Sequence, residues 1–180
     1  MGNRLKPQYF TAFLFVFYPT KIDEMPKQFR SSSPVSNFLD LLGDKWSLLV
    51  VRDLFLYRET FSQLIQEGEE RISTNILTDR LKKLKKYGII DFVNDRNDHK
   101  VKHYYLTDKG IDLNAILFEM SMWSKKHLDQ EFDVIAKDFF KQTKDVPREL
   151  VISSVSAKYK EHKEKLLDYH LNPHTFKVSF

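Results

Sequence analysis

The apolar positions of this chain change period several times, and each change marks an element. From Ser33 the spacing is helical: Val35, Phe38, Leu39, Leu41 and Leu42 form a stripe behind a Ser33–Pro34 start, closed by Gly43. A second helix opens at about Asp44 or Lys45. It carries Trp46, Leu48, Leu49, Val50, Val51, Leu54 and Phe55, apolar on almost every side, which predicts a buried central helix. Thr60 caps a short third helix with Phe61, Leu64 and Ile65, which stops near Gly68. Ser73 caps a fourth, from Thr74 to Tyr87, with Gly88 as its stop. At about 100° per residue, Leu77, Leu81 and Leu84 share one face of that helix. Asn75, Asp79, Lys82 and Lys86 fall opposite, with Thr78 and Lys85 on a flank.

The period then drops to two. Ile90, Phe92 and Val93 read as a strand, Asn94 to Lys100 as a turn and Val101 to Leu106 as a returning strand, giving a hairpin with a charged tip. Thr107 and Asp108 start a helix expected to run unbroken to about Leu128. Its stripe of Ile111, Leu113, Ile116, Leu117, Met120 and Trp123 is too wide for one small domain to cover. Ile111, Ile116, Leu117, Met120 and Trp123 are therefore the candidate dimer interface. Phe132, Ile135, Ala136, Phe139 and Phe140 keep a looser helical spacing. Pro147 restarts the chain into a last helix, from Glu149 to about Leu171, which Asn172–Pro173 ends. The resulting fold class is mainly α with a small β-hairpin wing. An arm occupies residues 1–32, the main domain 33–129 and a helical extension 130–180. In the arm, the aromatic run Tyr9–Tyr18 makes a poor signal peptide because Pro7 intrudes and no small-residue cleavage site follows. Met25 is a natural alternative start.

Composition narrows the chemistry. The 180 residues include no Cys, which removes disulfides, thiolate metal sites and cysteine nucleophiles together. No run approaches the roughly 18 uncharged apolar residues of a membrane span. The net charge of +4 is unevenly placed. Residues 71–110 hold ten basic side chains against five acidic ones, and the rest of the chain is slightly negative. A basic segment on a near-neutral body points to one polyanion-binding surface. No nucleotide-binding glycine loop, nucleophile elbow or zincin motif occurs, so no enzyme is indicated. His99 and His103 are spaced as metal ligands only on a helix, and His170 and His174 are split by Pro173, so neither pair suggests a metal.

Helix, helix, short helix, capped helix, hairpin, long helix is the element order of a winged helix-turn-helix. In that arrangement helix 73–87 enters a major groove and wing 90–106 touches flanking backbone. Ser73, Thr74, Asn75 and Thr78 are short hydrogen-bonding groups, Asn75 and Thr78 the better base-edge candidates. Lys82, Lys85 and Lys86 suit phosphates, as do Arg96, Lys100 and Lys102 of the wing. Arg80 either reaches a phosphate or pairs with a local acid and braces the helix. Arg96, at the hairpin tip, leads the wing contacts.

Several separated stretches together resemble the HxlR-type winged helix-turn-helix transcription regulators: Pro34–Val35, Leu42-Gly43-Asp44-Lys45-Trp46, Arg52-Asp53-Leu54, Ile72–Ser73 leading to Leu77-Thr78-Asp79-Arg80-Leu81, and Tyr105-Leu106-Thr107-Asp108-Lys109-Gly110. The likeness runs from Ser33 to about Leu128. It implies a cytoplasmic homodimer that binds a pseudo-palindromic DNA operator, with no membrane partner and no cofactor. It leaves room for a small-molecule effector. The alternative is a winged-helix protein-interaction module, which would have no need of the basic helix. Many such relatives carry a cysteine immediately before the Pro-Val pair; here that position is Ser33.

Overall fold

The computed structural model describes residues 30–172, so the aromatic run and Met25 lie outside the described residues. Within them the chain forms α1 (Pro34–Leu42), α2 (Ser47–Phe55), α3 (Phe61–Gln66), α4 (Thr74–Lys86), β1 (Ile90–Asn94), β2 (Lys102–Leu106), α5 (Asp108–Ile111), α6 (Asn114–His127), α7 (Val134–Gln142) and α8 (Arg148–Leu171). The local signals explain most of these boundaries. Ser33 Oγ accepts the Ser36 N–H at 3.4 Å, Thr60 and Gln63 form a reciprocal capping box, and Ser73 Oγ accepts the Ile76 N–H at 3.4 Å. Gly88 follows α4 at φ +66°, a left-handed turn that glycine adopts without strain. No helix among the described residues is long and apolar enough to cross a membrane.

The core is built as the apolar stripes require. Val50, Val51 and Leu54 of α2 meet Leu77, Leu81 and Leu84 of α4, with Leu64, Ile89, Ile90 and Leu106 closing the space. The hairpin is antiparallel, with Ile90 opposite Leu106 and Asn94 opposite Lys102. Thr60 bridges to His103 and the Tyr104 N–H donates to the Glu59 carbonyl at 2.8 Å, so the turn before α3 borders the outer side of β2.

Two expectations change. The helix after the hairpin is interrupted at Asp112–Leu113, where Leu113 N–H turns back to the Gly110 carbonyl at 3.1 Å and Ile116 N–H to that of Leu113 at 3.0 Å. The tighter turns swing both Ile111 and Leu113 into the core. Gly110 is required there, because a Cβ would stand 2.1 Å from the Ile89 carbonyl oxygen. Ile111, expected at the dimer interface, is 1% exposed and enclosed by its own protomer.

The extension also joins the main core. Tyr159 of α8 is 2% exposed among the residues of the winged domain. Its hydroxyl accepts the Leu106 N–H at 3.0 Å, and its ring meets Phe55 edge-on at 5.0 Å. Asn114 of α6 fixes the same helix by donating to the Ile152 carbonyl at 2.9 Å and to Ser156 Oγ at 3.1 Å. Burial pushes the Tyr159 hydroxyl far above the ordinary tyrosine range, so it stays protonated.

Candidate nucleic-acid interface

The face of α4 opposite the core points outward. Ser73, Thr74, Asn75, Asp79, Lys82, Lys85 and Lys86 are exposed, and Thr78 is half-buried beside them. Thr78 Oγ1 donates back to the Thr74 carbonyl at 2.8 Å, the local bond expected of a threonine inside a helix. Lys85 pairs with Asp91 and lies 4.8 Å over the Phe92 ring, where Lys102 of the wing also lies, at 4.2 Å. Helix and wing therefore share a rim of cations around one aromatic ring. Lys100 stands on the exposed turn of the wing.

Arg80 and Lys83 project to the other side. Arg80 Nη1 is 3.0 Å and Lys83 Nζ 3.2 Å from Asp44 Oδ2, in the turn between α1 and α2. Burial alone would raise the Asp44 carboxyl. Hydrogen bonds from Ser47 Oγ, the Trp46 and Ser47 N–H groups and Lys83 outweigh it and hold the group well below the usual carboxylate range. Asp44 therefore caps α2 and anchors α4 at once. Of the two readings of Arg80, the geometry matches the bracing one. Arg52 and Arg58 are likewise occupied internally, both within 3 Å of Asp53 Oδ1, at 2.8 and 2.9 Å.

Arg96 is drawn away from the wing's solvent face. Its guanidinium lies 4.0 Å over the Tyr169 ring and its backbone N–H donates to His170 Nδ1 at 3.2 Å. Sequence periodicity places Arg96 at the tip but is blind to α8 folding back on it. Lys100 and Lys102 are left as the wing cations on the exposed side.

Of the candidate interface residues, Met120 and Trp123 are exposed at 48% and 58%, whereas Ile116 and Leu117 are half-buried against the core. Val35 and Leu39, from the apolar stripe of α1, are also exposed. A cavity of about 540 Å³ opens between α2, α6, α7 and α8, lined by Phe55, Leu117, Phe118, Phe139, Phe140 and Tyr159 among others.

Residues 41–132 match the family model described as HxlR-like helix-turn-helix. The chain is similar to an uncharacterized HTH-type transcriptional regulator of Mycobacterium tuberculosis, Rv3095, at 30% identity over 59% of this chain and 66% of the relative. It thus spans just under two thirds of that relative's length. The regulator sll1512 of Synechocystis, carrying the same description, is 35% identical over 54% of this chain and 72% of its own. Among solved structures, PA1607, described as a candidate transcription factor, superposes with a TM-score of 0.52 at 32% identity, over 58% of this chain and 73% of that one.

Proposed function

The chain belongs to the HxlR-like helix-turn-helix family, and on that basis we propose that it is a transcription regulator that works as a cytoplasmic homodimer on a pseudo-palindromic DNA operator. One observation carries the reading: α4 buries Leu77, Leu81 and Leu84 while holding Asn75, Lys82, Lys85 and Lys86 out to solvent beside the Lys100 and Lys102 wing. A helix so mounted can enter a major groove with Ser73, Thr74, Asn75 and Thr78 leading. The lysines then meet phosphates. Arg80 stays with Asp44 and sets the helix angle, and Arg96 stays with α8. No catalytic role is assigned to any residue.

The dimer reading rests on Met120 and Trp123, whose exposed apolar surface on α6 gains by meeting a second copy. Ile116 and Leu117 support that surface from below. For an effector, the aromatic cavity between the winged domain and α7–α8 offers room for a small, largely apolar ligand within one protomer.

Duplex binding measured against salt tests the function. A DNA regulator loses affinity linearly in log–log form with a slope set by the phosphates it neutralises. An interaction module using the same scaffold gives weak binding with no preferred sequence among the chromosomal fragments that co-purify with it.

A further inference from the structure

The wing and the last helix meet at a group of side chains that DNA binding does not use. Asp95 spends Oδ1 on the tip turn, accepting the N–H groups of Asn97 at 2.7 Å and Asp98 at 3.0 Å. Its other oxygen, Oδ2, faces His103 Nε2 at 3.2 Å and His170 Nδ1 at 3.9 Å. The two imidazoles lie 4.4 Å apart, and the His170 side chain is only 3% exposed. His170 Nδ1 is unprotonated and its single lone pair accepts the Arg96 N–H, so a metal ion bound at this nitrogen takes the place of that hydrogen bond.

His103 stands between two acids. Nε2 faces Asp95, while Nδ1 is buried without a hydrogen-bond partner and looks toward Glu59 Oε2 at 3.5 Å. A neutral ring has one N–H to offer two carboxylates, so one lone pair is left against an anion. A cation on Nε2 removes the conflict. It satisfies Asp95, His103 and His170 together and frees the Nδ1 proton for Glu59, the arrangement in which an acid backs a metal-bound histidine. One ligand atom from each of the three residues already lies within 4.8 Å of the others. Tetrahedral zinc with bonds of about 2.0–2.1 Å needs its ligands roughly 3.3 Å apart, so side-chain movements of about 1 Å close the site.

We propose that Asp95, His103 and His170 bind a divalent transition-metal ion of the Zn²⁺ type, which pins the wing tip to the end of α8. Two imidazole nitrogens and one carboxylate oxygen select zinc and its neighbours cobalt and nickel over magnesium and calcium, which prefer all-oxygen shells. The sequence hides the site because it takes one histidine from each of two pairs that fail separately, and adds an acid from the hairpin turn. Nothing in the proposal depends on DNA binding.

The test uses the full chain, freed of metal and titrated with ZnCl₂ while the imidazole resonances are followed by NMR. His103 and His170 are expected to shift together and saturate at about one equivalent, with His99 and His127 unmoved. Calorimetry should give one site per chain and no heat from Mg²⁺. His103→Ala and His170→Ala should each weaken binding roughly a hundredfold, and Glu59→Gln about tenfold, while His99→Ala leaves it unchanged. No imidazole shift up to about 1 mM Zn²⁺, or shifts confined to His99 or His127, would overturn the proposal on the wild-type protein alone. Undiminished affinity in both His103→Ala and His170→Ala would do the same.

Discussion

Two residues apart on α4, Arg80 and Lys82 face different surroundings: Arg80 sits 3.0 Å from Asp44 Oδ2 and Lys82 is exposed. Lys82→Ala should therefore weaken binding to all duplexes alike and lower the salt slope by about one unit. Asn75→Ala, near the N-terminus of α4, should instead relax the choice of base at one operator position. The opposite pattern in a binding-site selection would exchange the two roles. Asp44 gives a prediction in pH. Its folded-state carboxyl titrates below the unfolded value of about 4, so the stability it adds is present above that pH and is lost as pH falls toward the folded value. Asp44→Asn should melt lower than the wild type at neutral pH, by an amount equivalent to about 1–2 kcal/mol. The gap should shrink as pH is lowered below about 4; a constant gap across a melting series would show that charge pairing is not its origin. The outward face of α4 was legible from spacing alone. The partner of Arg80 was not, because Asp44 lies two helices upstream and only the packing of α2 on α4 brings it near.

At the scale of elements, Tyr159 ties α8 to the hairpin through the Leu106 N–H. Tyr159→Phe keeps the ring between Phe55 and Tyr57 and removes only the acceptor. The buried N–H is left unpaired, at a cost of about 1–3 kcal/mol and a fall in melting temperature of roughly 2–12 °C. An unchanged melting curve would mean that Leu106 has another acceptor. The elements themselves were readable because caps and stripes are local: Ser33, Thr60, Ser73 and Thr107 each bond an N–H three residues ahead. The interruption at Asp112–Leu113 was not readable. Its residues are ordinary helix formers, and the bend comes from Gly110 fitting against the Ile89 carbonyl across the hairpin. The docking of α8 escaped for the same reason, since Tyr159, Tyr169 and His170 find partners far back in the chain.

For the whole molecule, the central expectation is a dimer held through α6. Met120 and Trp123 are the exposed apolar side chains there, and Ile111 is not available. A two-fold interface buries four such side chains, two from each protomer and each about half exposed beforehand, at about 0.7–1.5 kcal/mol apiece, so Met120→Glu with Trp123→Glu should weaken self-association by roughly two to four powers of ten. Sedimentation should then show monomers at micromolar concentration, with operator affinity much reduced. A wild-type chain that is monomeric under the same conditions refutes the arrangement. In the dimer the two α4 helices should address half-sites about 34–36 Å apart, or a multiple of that.

The place of Tyr159 also sets an order of events during synthesis. A ribosome adding about 5–20 residues per second needs roughly 3–10 s to travel the 53 residues from Leu106 to Tyr159. From residue 132 onward the segment shared with its relatives is already made, yet Phe55 lacks the Tyr159 ring and the Leu106 N–H has no tyrosine to meet. The nascent winged domain is therefore expected to engage chaperones until the last helix arrives. Messages cut short before that tyrosine should yield chains that are degraded before they can compete for an operator.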